Sequence, residues 1–366
     1  AQTVPVNLNF TLGKEAMTAA IDQCGITTVV TSRAFLSKTK IAESNAMVFI
    51  EDLMGSISPI QRTLIAAAAY LAPTRVIGWW CGARNADPHA LATIMFTSGS
   101  SGAPKGVMLS HENLTTNVEA VAQLLSPSSD DKIIGALPFF HSFGLTGTLW
   151  FPLLNGIAAV YHPNPLDAKT IGRLIAKYHA TILISTPTFC RTYIKSCTAE
   201  QFSTLRYAVV GGEKLTDAIA DAFKEKFGLD LLEGYGCTEM GPVVAVNVED
   251  VSFAGVTQKG TKSGTVGQPL PGVAAKIVDV ESGEPLGQGE EGLLLVKGPG
   301  QMLGYVNASE MTGEVFQDGW YVTGDIASID EEGFLRITDR LARFSKIGGE
   351  MVPHVKIEEA ICEIAG

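Results

Sequence analysis

The residues with the clearest capacity for chemistry lie in one stretch, TIMFTSGSSGAPKGVMLSHENL, from Thr93 to Leu114. Gly99, Gly102 and Gly106 let backbone N–H groups converge on an anion, and Thr97, Ser98, Ser100 and Ser101 add hydroxyl donors. Lys105 contributes a mobile positive charge. Together these residue types make a phosphate cradle. It differs from the common NTPase loop, in which Gly-Lys-Ser/Thr opens a helix, because Lys105 precedes Gly106 and an apolar strand follows. A plain Gly/Ser hairpin is the competing reading, and a lysine embedded in such a loop between two strands weighs against it.

Further candidates stand in short segments downstream: LPFFHSFG (Leu137 to Gly144), GGEKL (Gly211 to Leu215), GYGCTEMGP (Gly234 to Pro242), GWYVTGD (Gly319 to Asp325) and TDRLARFSKIGGEMV (Thr338 to Val352). Taken singly, each residue has an ordinary structural explanation. Asp325 after Thr-Gly suits a turn, Glu239 a helix start, and Tyr235 a core. His141 could be a hydrogen-bonded core histidine and Lys346 a surface lysine.

The elements that must position these residues are those of an α/β protein, in which short β-branched runs alternate with amphipathic helices. EAMTAAIDQCG leads into ITTVVTS, IGRLIAKYHA into TILISTP, and LRYAVVGG into TDAIADAFKEKFG, which predicts a parallel sheet covered by helices on both faces. From about Gly264, short strands separated by Gly/Pro turns predict an antiparallel β-rich subdomain. A third region from about Asp339 to Gly366 is too short for a core of its own.

Composition sets the outer limits. The chain has 366 residues, 46% of them hydrophobic, with 38 Gly and a net charge of −11, so it is globular, and a basic nucleic-acid footprint is absent. Length alone suggests roughly two domains. Six scattered cysteines with no CxxC pair suggest neither zinc nor disulfides and fit a reducing, cytoplasmic setting. AQTVPVNLNF lacks the pattern of a signal peptide, and the chain reads as a soluble piece of something longer. The uncharged run Leu137 to Tyr161 is long enough to span a bilayer, but its Pro138, His141, Ser142, Asn155 and glycines favour a buried helix and strand. LIAAAAYLA (Leu64 to Ala72) is expected to be a core helix, with a membrane-surface role the weaker reading.

Six motifs in this order resemble the adenylate-forming superfamily, which includes acyl-CoA synthetases, luciferase and peptide-synthetase adenylation domains. The resemblance implies ATP and Mg²⁺ as cofactors and an acyl-adenylate as intermediate. Thr97, Ser98, Gly99, Ser100, Ser101, Gly102 and Lys105 would embrace the β- and γ-phosphates. Thr238 and Glu239 would serve the α-phosphate and Mg²⁺, a cation that prefers hard oxygen ligands. Gly211, Gly212 and Glu213 would border adenine with Tyr235 stacking on it, Asp325 would accept the ribose hydroxyls, and Arg340 would assist there. His141 would lie beside the acyl carboxylate. The implied organisation is a large domain over residues 1–338 with its β-rich part at about 264–338, a hinge at 339–342, and the start of a small C-terminal domain at 343–366. Lys346 and Gly349 would serve the thioester step, Gly349 beside the pantetheine arm.

Amino-acid-activating relatives place an Asp in the segment matching LPFFHSFG, and no Asp or Glu occurs here from Leu137 through Pro165. A buried ammonium would lack its partner, which points to an acid with an apolar tail. TSRAFL, VFIEDL, LEGYGCTEMGPVVAVNV and RFSKIGGEMV further resemble the synthetase half of the bacterial bifunctional acyl-acyl-carrier-protein synthetase/2-acylglycerophosphoethanolamine acyltransferases. That implies a long-chain fatty acid as substrate and acyl carrier protein as acceptor, feeding lysophospholipid reacylation, with CoA as the alternative acceptor. It also implies contact of the whole protein with the cytoplasmic side of the inner membrane through an acyltransferase domain not in this sequence. The family hinge often has Asp or Lys where this chain has Ala342, and the adenylation lysine is expected beyond Gly366, so the piece alone is expected to be impaired, at the limit a nucleotide-binding module.

Overall fold

The computed structural model describes residues 3–11, 13–39, 41–83, 87–97, 104–253, 255–341, 344–347 and 350–353. Ser98, Gly99, Ser100, Ser101, Gly102, Ala342 and Gly349 therefore lie outside the described residues, and Lys346 falls on a strand, Phe344–Ile347, that pairs with Glu350–Pro353.

The central element is a seven-stranded sheet in the order Gln268–Pro269, Val243–Val246, Leu231–Gly236, Tyr207–Val210, Ile182–Ser185, Lys132–Gly135, Ala158–Tyr161. The last five are parallel, and the first two close one edge antiparallel. Period-two alternation puts these strands' side chains on two faces. Ile134, Leu183, Ala208, Val210 and Leu231 pack with Ile171, Tyr193, Phe202 and Phe223 from one layer of helices. Ile133, Ile182, Ile184, Val209 and Leu232 pack with Val118, Leu125 and Phe151 from the other. Both faces are covered, as a parallel sheet requires.

The Leu91–Thr97 and Lys105–Ser110 strands form an antiparallel pair in a four-stranded sheet. Ser110 then starts the His111–Leu125 helix through a capping box with Asn113. Five strands, Ala274–Val278, Gly292–Lys297, Phe316–Gln317, Trp320–Ile329 and Leu335–Arg340, make an antiparallel sheet. Two segments expected in that β-rich region belong elsewhere. Gln268–Pro269 edges the central sheet, and Gly304–Tyr305 pairs with Lys105–Ser110. Both are two residues long, too short for a periodic pattern to assign their partner. Likewise Val29–Thr31, read as part of the main α/β alternation, pairs only with Met47–Phe49 in a sheet of its own.

The uncharged run is a chain of short elements rather than a span: Ser142–Leu145, a π turn at Thr146–Trp150, Phe151–Asn155, then the strand Ala158–Tyr161. No helix among the described residues is long and apolar enough to cross a membrane. LIAAAAYLA corrects the expectation of a core helix. It lies in the helix Pro59–Leu71, none of whose residues is buried. Its apolar composition called for cover, but among the described residues none buries it.

Phe223 is fully buried among Phe202, Phe227 and the central strands. Phe223→Ala is expected to cost about 3–5 kcal/mol in urea denaturation, as a cavity in a closely packed layer does; a loss below about 1 kcal/mol would mean that this layer is loosely packed.

Candidate functional site

In the parallel sheet, the chain leaves Lys132–Gly135 for Ala158–Tyr161 on one side and returns to Ile182–Ser185 on the other. That reversal makes a crevice outside the carboxyl ends of the strands, the usual ligand position in open α/β sheets. The LPFFHSFG segment follows the Lys132–Gly135 strand, Gly211 and Gly212 follow Tyr207–Val210, and Tyr235 and Gly236 end the Leu231–Gly236 strand. Three segments read separately from sequence thus arrive at one edge.

Close backbone approach explains the glycines. A Cβ on Gly144 would stand 2.3 Å from the Pro138 carbonyl oxygen, and one on Gly236 2.1 Å from that of Pro242. Ser142 Oγ and Thr238 Oγ1 are 2.9 Å apart, which joins the LPFFHSFG segment to the Thr238–Met240 turn. The His111–Leu125 helix, which follows the hairpin, holds this turn from behind. Asn117 Nδ2 donates to Met240 O at 3.3 Å and to Val243 O at 2.8 Å.

Glu239 is buried, and Tyr305 donates its hydroxyl to Glu239 Oε1 at 2.8 Å. Lys105 Nζ lies 5.4 Å from the centroid of the same Tyr305 ring. Burial, and then the nearby Glu239 charge, push the Tyr305 phenol above its ordinary range, so it stays a donor. One aromatic residue therefore spaces the hairpin lysine from the turn carboxylate. The fit to Mg²⁺ rests on donor chemistry. Glu239 is a single hard carboxylate whose hydrogen bond, among the described residues, goes to Oε1 alone, and Mg²⁺ is commonly held by one or two carboxylates plus substrate phosphates. The described residues contain no group of three or more His, Cys, Asp and Glu arranged for a metal, so phosphate oxygens would supply the other ligands.

Asp325 is 4% exposed, and both its oxygens are engaged. Arg340 Nε donates to Oδ1 at 3.0 Å and Tyr235 OH to Oδ2 at 2.5 Å. Asp325 and Arg340 face each other in the register of neighbouring strands. Burial raises the Asp325 pKa, and the two donors oppose that rise. Burial, with the Asp325 charge behind it, raises that of Tyr235. Each carboxylate oxygen retains a second lone pair, so Asp325 keeps acceptor capacity for hydroxyls. The Tyr235 hydroxyl is spent on Asp325, leaving its ring for any stacking contact.

The remaining candidates are more dispersed. Glu213 turns to the start of the Pro187–Ser196 helix, accepting from Thr188 Oγ1 at 2.6 Å and from Thr188 N at 3.2 Å. His141 is exposed, its ring 4.7 Å from that of Phe140, and desolvation by its surroundings lowers its pKa. Thr97 and Lys105 pair across the base of the hairpin.

Sequence reading passed over Ser142, Tyr305 and Glu233. Ser142 stood inside a quoted motif, next to the histidine that drew attention. Tyr305 gave only a Gly-Tyr in QMLGYVN, followed through two residues of strand. Glu233 is buried, accepts the Leu215 N–H at 2.9 Å, and so ties the Gly211–Leu215 segment to the Leu231–Gly236 strand. Burial first, against that hydrogen bond, moves its pKa up to about 6.

A scan against family profiles matches residues 1–306 to the AMP-binding enzymes. The chain is 35% identical over 281 residues to the long-chain-fatty-acid–CoA ligase of Salmonella typhimurium, covering 75% of this chain and 48% of that protein. It is 37% identical over 274 residues to the probable 4-coumarate–CoA ligase 3 of Dictyostelium discoideum, covering 73% and 48%. Among solved structures, ATP-bound MatB from Rhodopseudomonas palustris superimposes with a TM-score of 0.69 at 33% identity, over 75% of this chain and 53% of that one. A match over most of the chain, together with the fold, establishes that the chain belongs to the AMP-binding enzyme family. It spans about half the length of the curated relatives it matches.

Two outcomes follow from the geometry. Tyr305→Phe removes a hydrogen bond to a carboxylate and, in a longer polypeptide that carries this chain with a full-length small domain, is expected to lower the ATP–pyrophosphate exchange rate about tenfold with the fold unchanged; an unaltered rate would leave Tyr305 a packing residue. For Glu233, a folded pKa above the unfolded one means the folded state binds the extra proton, so its cost is absent below about pH 4.5 and complete above about pH 6. Glu233→Gln is therefore expected to flatten the stability profile across that window by about 2 kcal/mol, measured by urea titration at each pH.

Proposed function

We propose that this chain is the nucleotide- and acyl-binding body of an AMP-forming acid:thiol ligase that activates a long-chain fatty acid. The observation that carries the reading is the convergence, at the switch point of the sheet, of the Ser142–Thr238 contact and Glu239, with the Tyr235–Asp325–Arg340 group bridging to the neighbouring sheet. A site of this kind has donors for phosphate at one end and an acceptor for hydroxyls at the other.

In the first step the fatty carboxylate attacks the α-phosphorus of ATP, the bond to the pyrophosphate oxygen breaks, and acyl-AMP and pyrophosphate form. The chain's part is to align the reactants and neutralise charge. Thr97, Lys105 and the loop 98–102 would receive the β- and γ-phosphates, Thr238 the α-phosphate, and Gly211, Gly212, Glu213 and Tyr235 the adenine. Asp325 and Arg340 would hold the ribose. Mg²⁺ held by Glu239 and the phosphates would offset negative charge on the leaving pyrophosphate. In the second step a thiolate attacks the acyl carbon and AMP departs as its conjugate base. His141 would border that approach, with Lys346 and Gly349 at the pantetheine arm. Residues 1–338 would form the large domain, 339–342 the hinge, and 343–366 the beginning of the small domain.

The choice of acid rests on charge. With no carboxylate from Leu137 through Pro165, a substrate ammonium would be buried unpaired, whereas each buried CH₂ of an alkyl chain gains about 0.8 kcal/mol. The acceptor is a phosphopantetheine thiol. The motif resemblance favours acyl carrier protein, with the acyl group passed on to a lysophospholipid at the inner membrane. CoA is the second reading, favoured by the named activities of the curated relatives.

In a longer polypeptide that carries this chain together with a full-length small domain, exchange of labelled pyrophosphate into ATP is expected with palmitate and not with amino acids. Glu239→Ala is expected to lower it at least about a hundredfold at fixed Mg²⁺; exchange with no fatty acid, or an unchanged Glu239→Ala rate, would overturn the assignment. Side-by-side turnover with holo-acyl carrier protein and CoA then decides the acceptor, and faster turnover with CoA selects the second reading.

A further inference from the structure

Three consecutive helices, Ile50–Ser56, Pro59–Leu71 and Thr74–Trp80, contain no buried residue. Their exposed side chains are the wrong kind for water. Ile60 is 73% exposed, Tyr70 90% and Leu71 77%, and Leu53, Met54, Leu64, Ile65, Trp79 and Trp80 are exposed with them. On the Pro59–Leu71 helix, Ile60, Leu64, Ala67 and Leu71 recur at helical spacing and form one stripe. Isolated exposed apolar residues are ordinary, but a run of this density marks a binding surface.

The charge pattern identifies what binds. Residues 53–86 contain no Asp or Glu, and their charges are Arg62, Arg75 and Arg84, in a chain whose net charge is −11. The acids at the border are already engaged: Asp52 is paired with Arg33 through 2.8 and 2.7 Å contacts, and Glu51 accepts the Arg33 N–H at 2.9 Å. Arg62 donates to the Met54 carbonyl oxygen, which fastens the second helix to the first. Tryptophan and tyrosine beside aliphatic residues, with arginines and no acids, is the side-chain set of a segment seated at a membrane–water interface. A helix of 13 residues is about 20 Å long, which suits lying in the interface and is too short to cross it.

We propose that the Leu53–Trp80 face is an interfacial docking surface for an anionic lipid bilayer. The inference stands on exposure and charge and does not depend on the reaction assigned above. Lipid is favoured over a protein groove because the apolar groups extend over three helices and both tryptophans rather than converging on one anchor.

The test uses the 366-residue protein and vesicles of phosphatidylglycerol with phosphatidylethanolamine, against vesicles of phosphatidylcholine. Sedimentation with the anionic vesicles is expected to exceed that with the neutral ones by about tenfold and to fall several-fold as salt is raised, accompanied by a blue shift of tryptophan emission. Combining Trp79→Ser with Trp80→Ser is expected to lower binding about tenfold and remove most of the shift, while far-UV circular dichroism is unchanged. Arg75→Glu, an exposed substitution with little bearing on folding, is expected to weaken anionic binding several-fold and leave far-UV circular dichroism unchanged. Sedimentation with neither vesicle, or equal sedimentation of wild type and both variants, overturns the proposal. So does a dimer in light scattering that the tryptophan variant abolishes, which would give the face to a second copy. Emission already blue-shifted without vesicles in a longer polypeptide carrying this chain would give it to other segments of that polypeptide, and overturns the proposal too.

Discussion

The buried Asp325 carboxylate is the constraint around which the site is arranged. It sits on the longest strand of the antiparallel sheet, and its two donors come from different places: Tyr235 from the end of a central parallel strand, Arg340 from the strand alongside. A carboxylate taken out of water at this depth is costly unless fully hydrogen-bonded, and replacing such a group by apolar residues often stabilises a protein. Here that cost is offset by two donors from different strands, so the carboxylate fixes those strands relative to each other. The Arg340 side chain is 70% exposed, so its ion pair with Asp325 is solvent-screened on one side and contributes orientation more than stability.

A second junction repeats the device with different chemistry. Tyr305 enters on a two-residue strand beside the Lys105–Ser110 strand and reaches Glu239 on the turn after the Leu231–Gly236 strand. The backbone supports the same contact, since the Met302 N–H donates to the Glu239 carbonyl oxygen at 2.8 Å and Asn113 Nδ2 to the Pro299 carbonyl oxygen at 2.8 Å. The segment 299–305 is thus laced to the helix after the hairpin and to the Thr238–Met240 turn together. Three sheets meet at the crevice, and at each meeting a buried polar group is satisfied by a residue from a neighbouring sheet. Such networks specify one arrangement because a shift of either sheet would strand the buried group.

How much of this could be read from the sequence depended on the range of the interaction. The hairpin, its capped helix and the parallel strands were legible because period-two and period-3.6 patterns and a Ser/Asn capping box act within a few residues. Motif residues were legible as chemistry, so Thr238, Glu239, Tyr235 and Asp325 stood out before any partner was known. What stayed hidden were the partners. Ser142 to Thr238, Tyr305 to Glu239 and Glu233 to Leu215 join residues 96, 66 and 18 positions apart, and no local pattern encodes such a pairing. Two-residue strands escaped for the same reason, since Gln268–Pro269 and Gly304–Tyr305 are defined by their neighbours. LIAAAAYLA failed differently: hydrophobicity states that a face must be covered and is silent on whether protein or lipid covers it.

The segment that unites the polar and apolar halves of the crevice is the short helix after Pro138. Its first turn is pressed against its own approach, with Gly144 where any side chain would meet the Pro138 carbonyl. Gly147 lies where a Cβ would stand 2.9 Å from Ile184 Cδ1, so the same helix is also flush with the central sheet. Around the second of these points the backbone widens into a π turn at Thr146–Trp150, a distortion that recurs at functional sites and displaces the register of the residues beyond it. Before it, Ser142 faces the Thr238 turn and Leu145 is buried in one core, and beyond it Phe151 is buried in another. A regular helix would keep its polar and apolar residues on opposite faces along its whole length. The glycines and the π turn let one short segment present a hydroxyl to the Thr238 turn and, a few residues later, apolar side chains to two different cores. Burial in those cores explains why this stretch is so apolar without being a span.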